Sequence, residues 1–190
     1  MCAVQGCEYD QVELEALRAL PPEDQRTFLL GRILAETSRM DLLMRFLNAV
    51  LRGEREVSAY LDSPDNFTRN SEDCLIRIRA DSDLDLRTRE ALLASVQAAI
   101  VAYKRRNRFV HDLLQEDMLF GDWELMPLRR VPGGNESGEK VSFDSMVQVV
   151  EQLITATIRL RGGAMHVLQG GWDKPAFGPV RGAWDGTAVY

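Results

Sequence analysis

The segment Tyr103-Lys104-Arg105-Arg106-Asn107-Arg108-Phe109-Val110-His111-Asp112 gathers the side chains of this chain best suited to chemistry. It holds one of only two histidines, the other being His166. A guanidinium grips a phosphate with two parallel donors in one plane. An imidazole titrates near neutral pH and can move a proton. Arg106 and His111 are therefore a minimal kit for cleaving RNA without a metal, because RNA carries its own nucleophile in the 2′-hydroxyl. Asn107 is placed to orient the imidazole or a phosphate oxygen. The rest of the chain has no Gly-rich phosphate loop, no Ser or Cys nucleophile with a spaced His, and no metal-ligand cluster. Cys2 and Cys7 have the wrong spacing and too few companions for zinc, so neither metal nor cofactor is expected.

Residues on a helix advance about 100° per position, so Asn107 and His111 share a face with Tyr103 one turn earlier. Arg106 and His111 lie about 140° apart, which is awkward for one helix acting alone. A second copy packed across the helix end solves this, and a homodimer is the expected assembly. Tyr103, Lys104, Arg105 and Arg108 are further candidates for RNA contact, and Arg129 and Arg130 extend the basic cluster. A plainer reading exists: a helix C-terminus decorated with cations that complement its dipole.

The elements that must position these residues read as helices. Residues 1–20 carry a short helix through Val12, Leu14, Leu17 and Leu20. Pro22, followed by Glu23 and Asp24, starts a long helix running to about Arg52 and ending before Gly53. Leu29, Ile33, Met40, Leu43, Leu47 and Val50 form its apolar stripe. Glu36 falls in that stripe and needs a partner. The Arg/His cluster is one candidate, and the water at a bundle edge is the other. Val57 to Leu61 is a candidate short helix, and Ser63-Pro64-Asp65-Asn66 a turn. A helix after Asn70 or Ser71, through Cys74, Leu75 and Ile78, is broken by Asp81-Ser82-Asp83. The next spans Arg87 to about Leu114 and carries the motif toward its end. Residues 119–142 read as non-helical, with Trp123 to Val131 as a hairpin strand and Pro132 to Asn135 as a loop. Ser142 caps the last helix, Phe143 to Arg161, which Gly162-Gly163 ends.

The Arg106-Asn107-x-x-x-His111 pattern closing a helix resembles the signature of HEPN domains. The order of segments is similar as well, and the resemblance covers roughly residues 22–162. It implies a small all-α, up-and-down bundle of four to five main helices, with an irregular or hairpin insertion before the last helix. It further implies an endoribonuclease of toxin or defence type, in which dimerisation sets two motifs around one cleft. Arg106, Asn107 and His111 would be its catalytic residues, RNA its substrate, and a cognate antitoxin protein a candidate partner. The expected domain limits are an N-terminal segment 1–21, a helical domain 22–163 and a Gly/Pro/Trp-containing tail 164–190.

The composition sets bounds on this. A chain of 190 residues fits one domain with a tail and buries a real core. The net charge of −6 argues against a non-specific nucleic-acid binder, whereas one basic groove suits transient engagement of a phosphate backbone. The odd, sparse set Cys2, Cys7 and Cys74 argues against a disulfide framework and for a reducing cytoplasm. No signal peptide and no membrane span is read. The alternative function is a non-catalytic HEPN-like module that binds a partner or regulates transcription, with Arg106 and His111 locking the helix end. A third reading is a helical dimerisation scaffold that docks through its aromatic tail.

Overall fold

Pro22 opens the longest helix because a residue without an amide proton loses nothing at a position that has no intrahelical acceptor. The computed structural model describes residues 11–54, 66–111, 113–116, 123–126 and 139–168. Among these it places five helices: α1 Gln11–Arg18, α2 Pro22–Leu51, α3 Phe67–Ala80, α4 Leu86–His111 and α5 Phe143–Leu168. An antiparallel sheet of three short strands, β1 Leu113–Glu116, β2 Trp123–Met126 and β3 Glu139–Val141, lies between α4 and α5 in the chain. The expected all-α helical bundle is what folds. Val57 to Leu61, Arg129, Arg130 and the 132–135 loop lie outside the described residues, as does the chain from 169 onward.

α2 packs most extensively against α5, and α4 also packs on α5. Leu29, Ile33, Met40 and Leu47 of α2 are fully buried, as are Met146, Val150, Leu153 and Leu160 of α5. Each such side chain contributes about 1.5–3 kcal/mol by leaving water. Leu92, Val96 and Ala99 of α4 complete the core with Cys74 and Ile78 of α3. Leu92 meets Gly163 and Arg105 meets Gln148, so α4 and α5 run antiparallel. An ion pair of Arg18 with Asp144 ties the end of α1 to the start of α5. Among the described residues, no helix is long and apolar enough to cross a membrane.

The helix ends follow local chemistry. Gly53 adopts φ +82°, a left-handed conformation that costs a glycine little. Its N–H donates to the Val50 carbonyl and that of Glu54 to the Ala49 carbonyl, which closes α2. Ser142 caps α5 as expected: its Oγ accepts from the Ser145 N–H at 3.0 Å. Asp85 caps α4, accepting from the Thr88 N–H at 3.0 Å. Hydrogen bonds from Thr88 hold the Asp85 carboxyl below its ordinary value of 3.8. The stability this adds is complete above the ordinary value and is lost as pH falls through the lowered one. As pH falls below the ordinary value of 3.8, Asp85→Asn is therefore expected to lose less melting temperature than the unaltered protein. Parallel acid limbs for the two would show that Asp85 contributes nothing there.

Three boundaries differ from the sequence reading. α3 begins at Phe67, not after Asn70 or Ser71, because Asn66 is the cap: its Oδ1 accepts from the Arg69 N–H at 3.0 Å. Asn70 is buried inside the helix. Its Oδ1 accepts from Asn48 Nδ2 at 2.9 Å, and its Nδ2 donates to the Asn66 carbonyl at 3.0 Å. α4 stops at His111, and Leu113 and Leu114 belong to β1, paired with Met126 and Leu125. α5 runs through Gly162 and Gly163 to Leu168, so the expected limit at 163/164 falls inside a helix. Gly163 is needed for contact, not for ending the helix: a Cβ there would sit 2.7 Å from Leu92 Cδ2.

The Asn48–Asn70 pair is costly to break. Asn48 Oδ1 is already buried without a hydrogen-bond partner. Asn70→Ala also removes the acceptor of Asn48 Nδ2, and is expected to lower stability by about 2–3 kcal/mol. Urea titration of the variant checks this, and a loss under about 0.5 kcal/mol would contradict it.

Candidate functional site

The last turns of α4 carry Tyr103 to His111, and the described side chains among them take two different sides of the helix. Tyr103, Arg106 and Asn107, at spacings of three and four, share one side. Tyr103 stacks on Phe67 of α3, with ring centroids 4.1 Å apart and planes 7° from parallel. Arg106 carries its guanidinium 5.5 Å from the Tyr103 ring centroid, within cation–π range. Arg106 Nη1 donates to Asn107 Oδ1 at 2.9 Å. Both residues are half-buried. The guanidinium is thus fixed by an amide oxygen and an aromatic face, while the Arg106 Nε has no hydrogen-bond partner. His111 is the final residue of α4, one turn beyond Asn107. Its side chain lies outside the described residues.

Lys104, Arg105 and Arg108 take the other side. They line a surface cavity of about 350 Å³ with Val101 and Phe109 of α4, Lys140 and Val141 of β3, and Ser145 of α5. Arg105 Nη2 donates to Gln148 Oε1 at 2.9 Å, tying this side of α4 to the first turns of α5. The basic cluster read as one patch is therefore divided. Arg106 and Asn107 work beside α3, and three other cations face β3 and α5.

Glu36, a candidate partner for the Arg/His cluster, is held elsewhere. Its Oε1 accepts from Arg39 at 2.8 Å and lies 3.1 Å from Arg32, both on its own helix. Residues three and four apart on a helix are neighbours, so these arginines reach it without leaving α2. Both arginine side chains stay partly exposed while the Glu36 carboxylate that they pair with is buried.

No family model, curated protein or solved structure matches the chain.

The sequence reading missed Lys140, Ser145, Gln148 and Phe67. Lys140 is one of only three lysines, which is a weak signal, and its place beside α4 depends on a strand that the residue pattern does not show. Phe67 precedes the start that the residue pattern predicts for its helix, so the pattern gives it no buried face. Among the described residues, no group of three His, Cys, Asp or Glu side chains is placed to hold a metal ion. Cys74 is fully buried, and burial, with Asp73 adding, pushes its thiol up to about 12. A thiol held protonated in this way is a core side chain and not a nucleophile.

Proposed function

We propose that this protein is a HEPN-like endoribonuclease that cleaves RNA without a metal, acting from the end of α4. The observation that supports it is the Arg106 guanidinium, held by Asn107 and Tyr103 one helical turn or so before His111. Arg106 holds the non-bridging oxygens of the scissile phosphate and stabilises the charge that grows there. His111 takes the proton of the 2′-hydroxyl, and the 2′-oxygen attacks phosphorus. The bond from phosphorus to the 5′-oxygen breaks, and that oxygen leaves with a proton. The products are a 2′,3′-cyclic phosphate and a free 5′-hydroxyl. Asn107 keeps Arg106 in register.

Two copies of the chain complete the cleft, since about 140° of helix separates Arg106 from His111 in one copy. The second His111 then supplies the proton to the leaving oxygen. Toxin or defence work in the cytoplasm, with RNA as substrate and an antitoxin protein as partner, fits this chemistry. The test is incubation of the purified protein with total RNA in EDTA. Fragments ending in 2′,3′-cyclic phosphate are expected, and intact RNA would refute the proposal.

A second reading draws on the same bond. Arg106 spans Asn107 and the Tyr103–Phe67 stack, which is also how an arginine locks a helix end in a non-catalytic binding or regulatory module. Under it, Arg106→Ala lowers stability and changes no RNA.

A further inference from the structure

The cavity between α4, β3 and the start of α5 is lined by four cations, Lys104, Arg105, Arg108 and Lys140. Among the described residues, no carboxylate lines it. Lys104 and Arg108 stand four apart on one helix, where side chains are neighbours and like charges repel. An anion in the cavity offsets that repulsion. A single diester phosphate carries one charge, whereas a phosphomonoester carries nearly two and offers three acceptor oxygens. The wall also has an apolar part: Val101, 63 % exposed, with Phe109 and Val141 beside it. Hence the ligand needs a compact, doubly charged head and a flat or apolar body. The volume of about 350 Å³ is that of a small-molecule site, large enough for one nucleotide unit and too small for a folded partner.

We infer that this cavity is a site for a nucleotide bearing a terminal phosphomonoester. Lys104, Arg108 and Lys140 take the phosphate, and Val101, Phe109 and Val141 meet the base. Such a group comes from two sources, the phosphorylated end of an RNA strand or a free mononucleotide. In the first case the site selects the substrates of the cleavage proposed above, and only that consequence rests on the cleavage reading. Binding itself does not, because Arg106 and Asn107 lie on the other side of α4.

The experiment is fluorescence anisotropy with the full chain and labelled ten-residue RNAs phosphorylated at the 5′ end, at the 3′ end or at neither. One phosphorylated form is expected to bind at least about tenfold more tightly than the unphosphorylated one, the effect of one added charge-assisted contact. The preference is expected to vanish in Lys104→Glu and Lys140→Glu, both at exposed positions and both checked for retained helicity. It is expected to survive in Arg106→Ala, so that a loss of cleavage and a loss of end recognition are told apart. An unlabelled nucleoside monophosphate that competes as well as the RNA assigns the site to the free molecule, whereas weak competition assigns it to the RNA end. Equal binding of all three RNAs, or an unchanged preference in both lysine variants, overturns the inference. So does an acidic peptide that displaces the phosphorylated RNA more effectively than the monophosphate does.

Discussion

His111→Ala is expected to lower the rate of RNA cleavage in EDTA by about a hundredfold to ten-thousandfold, the range that a positioned acid or base supplies. His111 is the only histidine in the motif at the end of α4, and imidazole is the side-chain type suited to moving a proton near neutral pH. Arg106→Ala is expected to cost a comparable factor by a different route, through loss of charge stabilisation at the phosphate. Arg106→Lys tests geometry against charge. A lysine keeps the charge but forfeits the planar fork, and with it the bond to Asn107 Oδ1 made by a second donor. It is therefore expected to recover little. Rates are read from labelled RNA on denaturing gels, with thermal melts alongside. If His111→Ala cleaves like the unaltered protein, the catalytic proposal is wrong. If Arg106→Ala melts early and RNA is untouched by every variant, Arg106 is a structural lock.

Leu153→Ala carries the largest expected loss of stability. Leu153 is fully buried on α5, the helix that packs on both α2 and α4. Its deletion removes apolar surface from a close-packed site and leaves a cavity that long neighbouring helices cannot readily collapse to fill. About 3 kcal/mol is expected, a substantial share of the 5–15 kcal/mol typical of a domain. In a chain of this length that corresponds to a fall of roughly 10 °C in Tm. Ile76→Ala is the matched control, since Ile76 is 62 % exposed and should change stability by under about 0.5 kcal/mol. Urea titration with an unchanged slope would attribute the difference to the native core. Similar losses for the two variants would contradict the burial described.

Helical periodicity was enough to read α2 almost to the residue, because Pro22 and Gly53 punctuate it and the Leu29 to Val50 stripe has no rival pattern. The same holds for Ser142, whose capping role depends only on residues within one turn. What misled the reading is tertiary in origin. Asn70 and Ser71 look like caps, yet a partner on α2 keeps Asn70 inside a helix. Gly162-Gly163 looks like a stop, yet the approach of Leu92 makes Gly163 part of an interface. Leu113 and Leu114 continue the apolar pattern of α4 but pair as a strand, and a pairing partner ten or more residues away leaves no local trace. The site was legible in type more than in arrangement. The run from Tyr103 to His111 declared itself by composition, but the division of its cations between two sides, and the addition of Lys140, required the fold.

The contact between Gly163 and Leu92 also governs something distant from it. Helices are stiff rods over tens of ångströms, and two rods pinned at one level diverge or converge elsewhere according to how tightly they are pinned. From Gly163 to Gln148 is fifteen residues, or about 22 Å along α5. At that far end α4 and α5 border the cation-lined cavity. A bulkier residue at 163 pushes the rods apart at the pin and so re-angles the cavity walls without touching any residue in them. The width of the cavity is therefore a trait that selection can tune from a position of the core with no charge and no side chain, while Lys104, Arg105, Arg108 and Lys140 stay as they are.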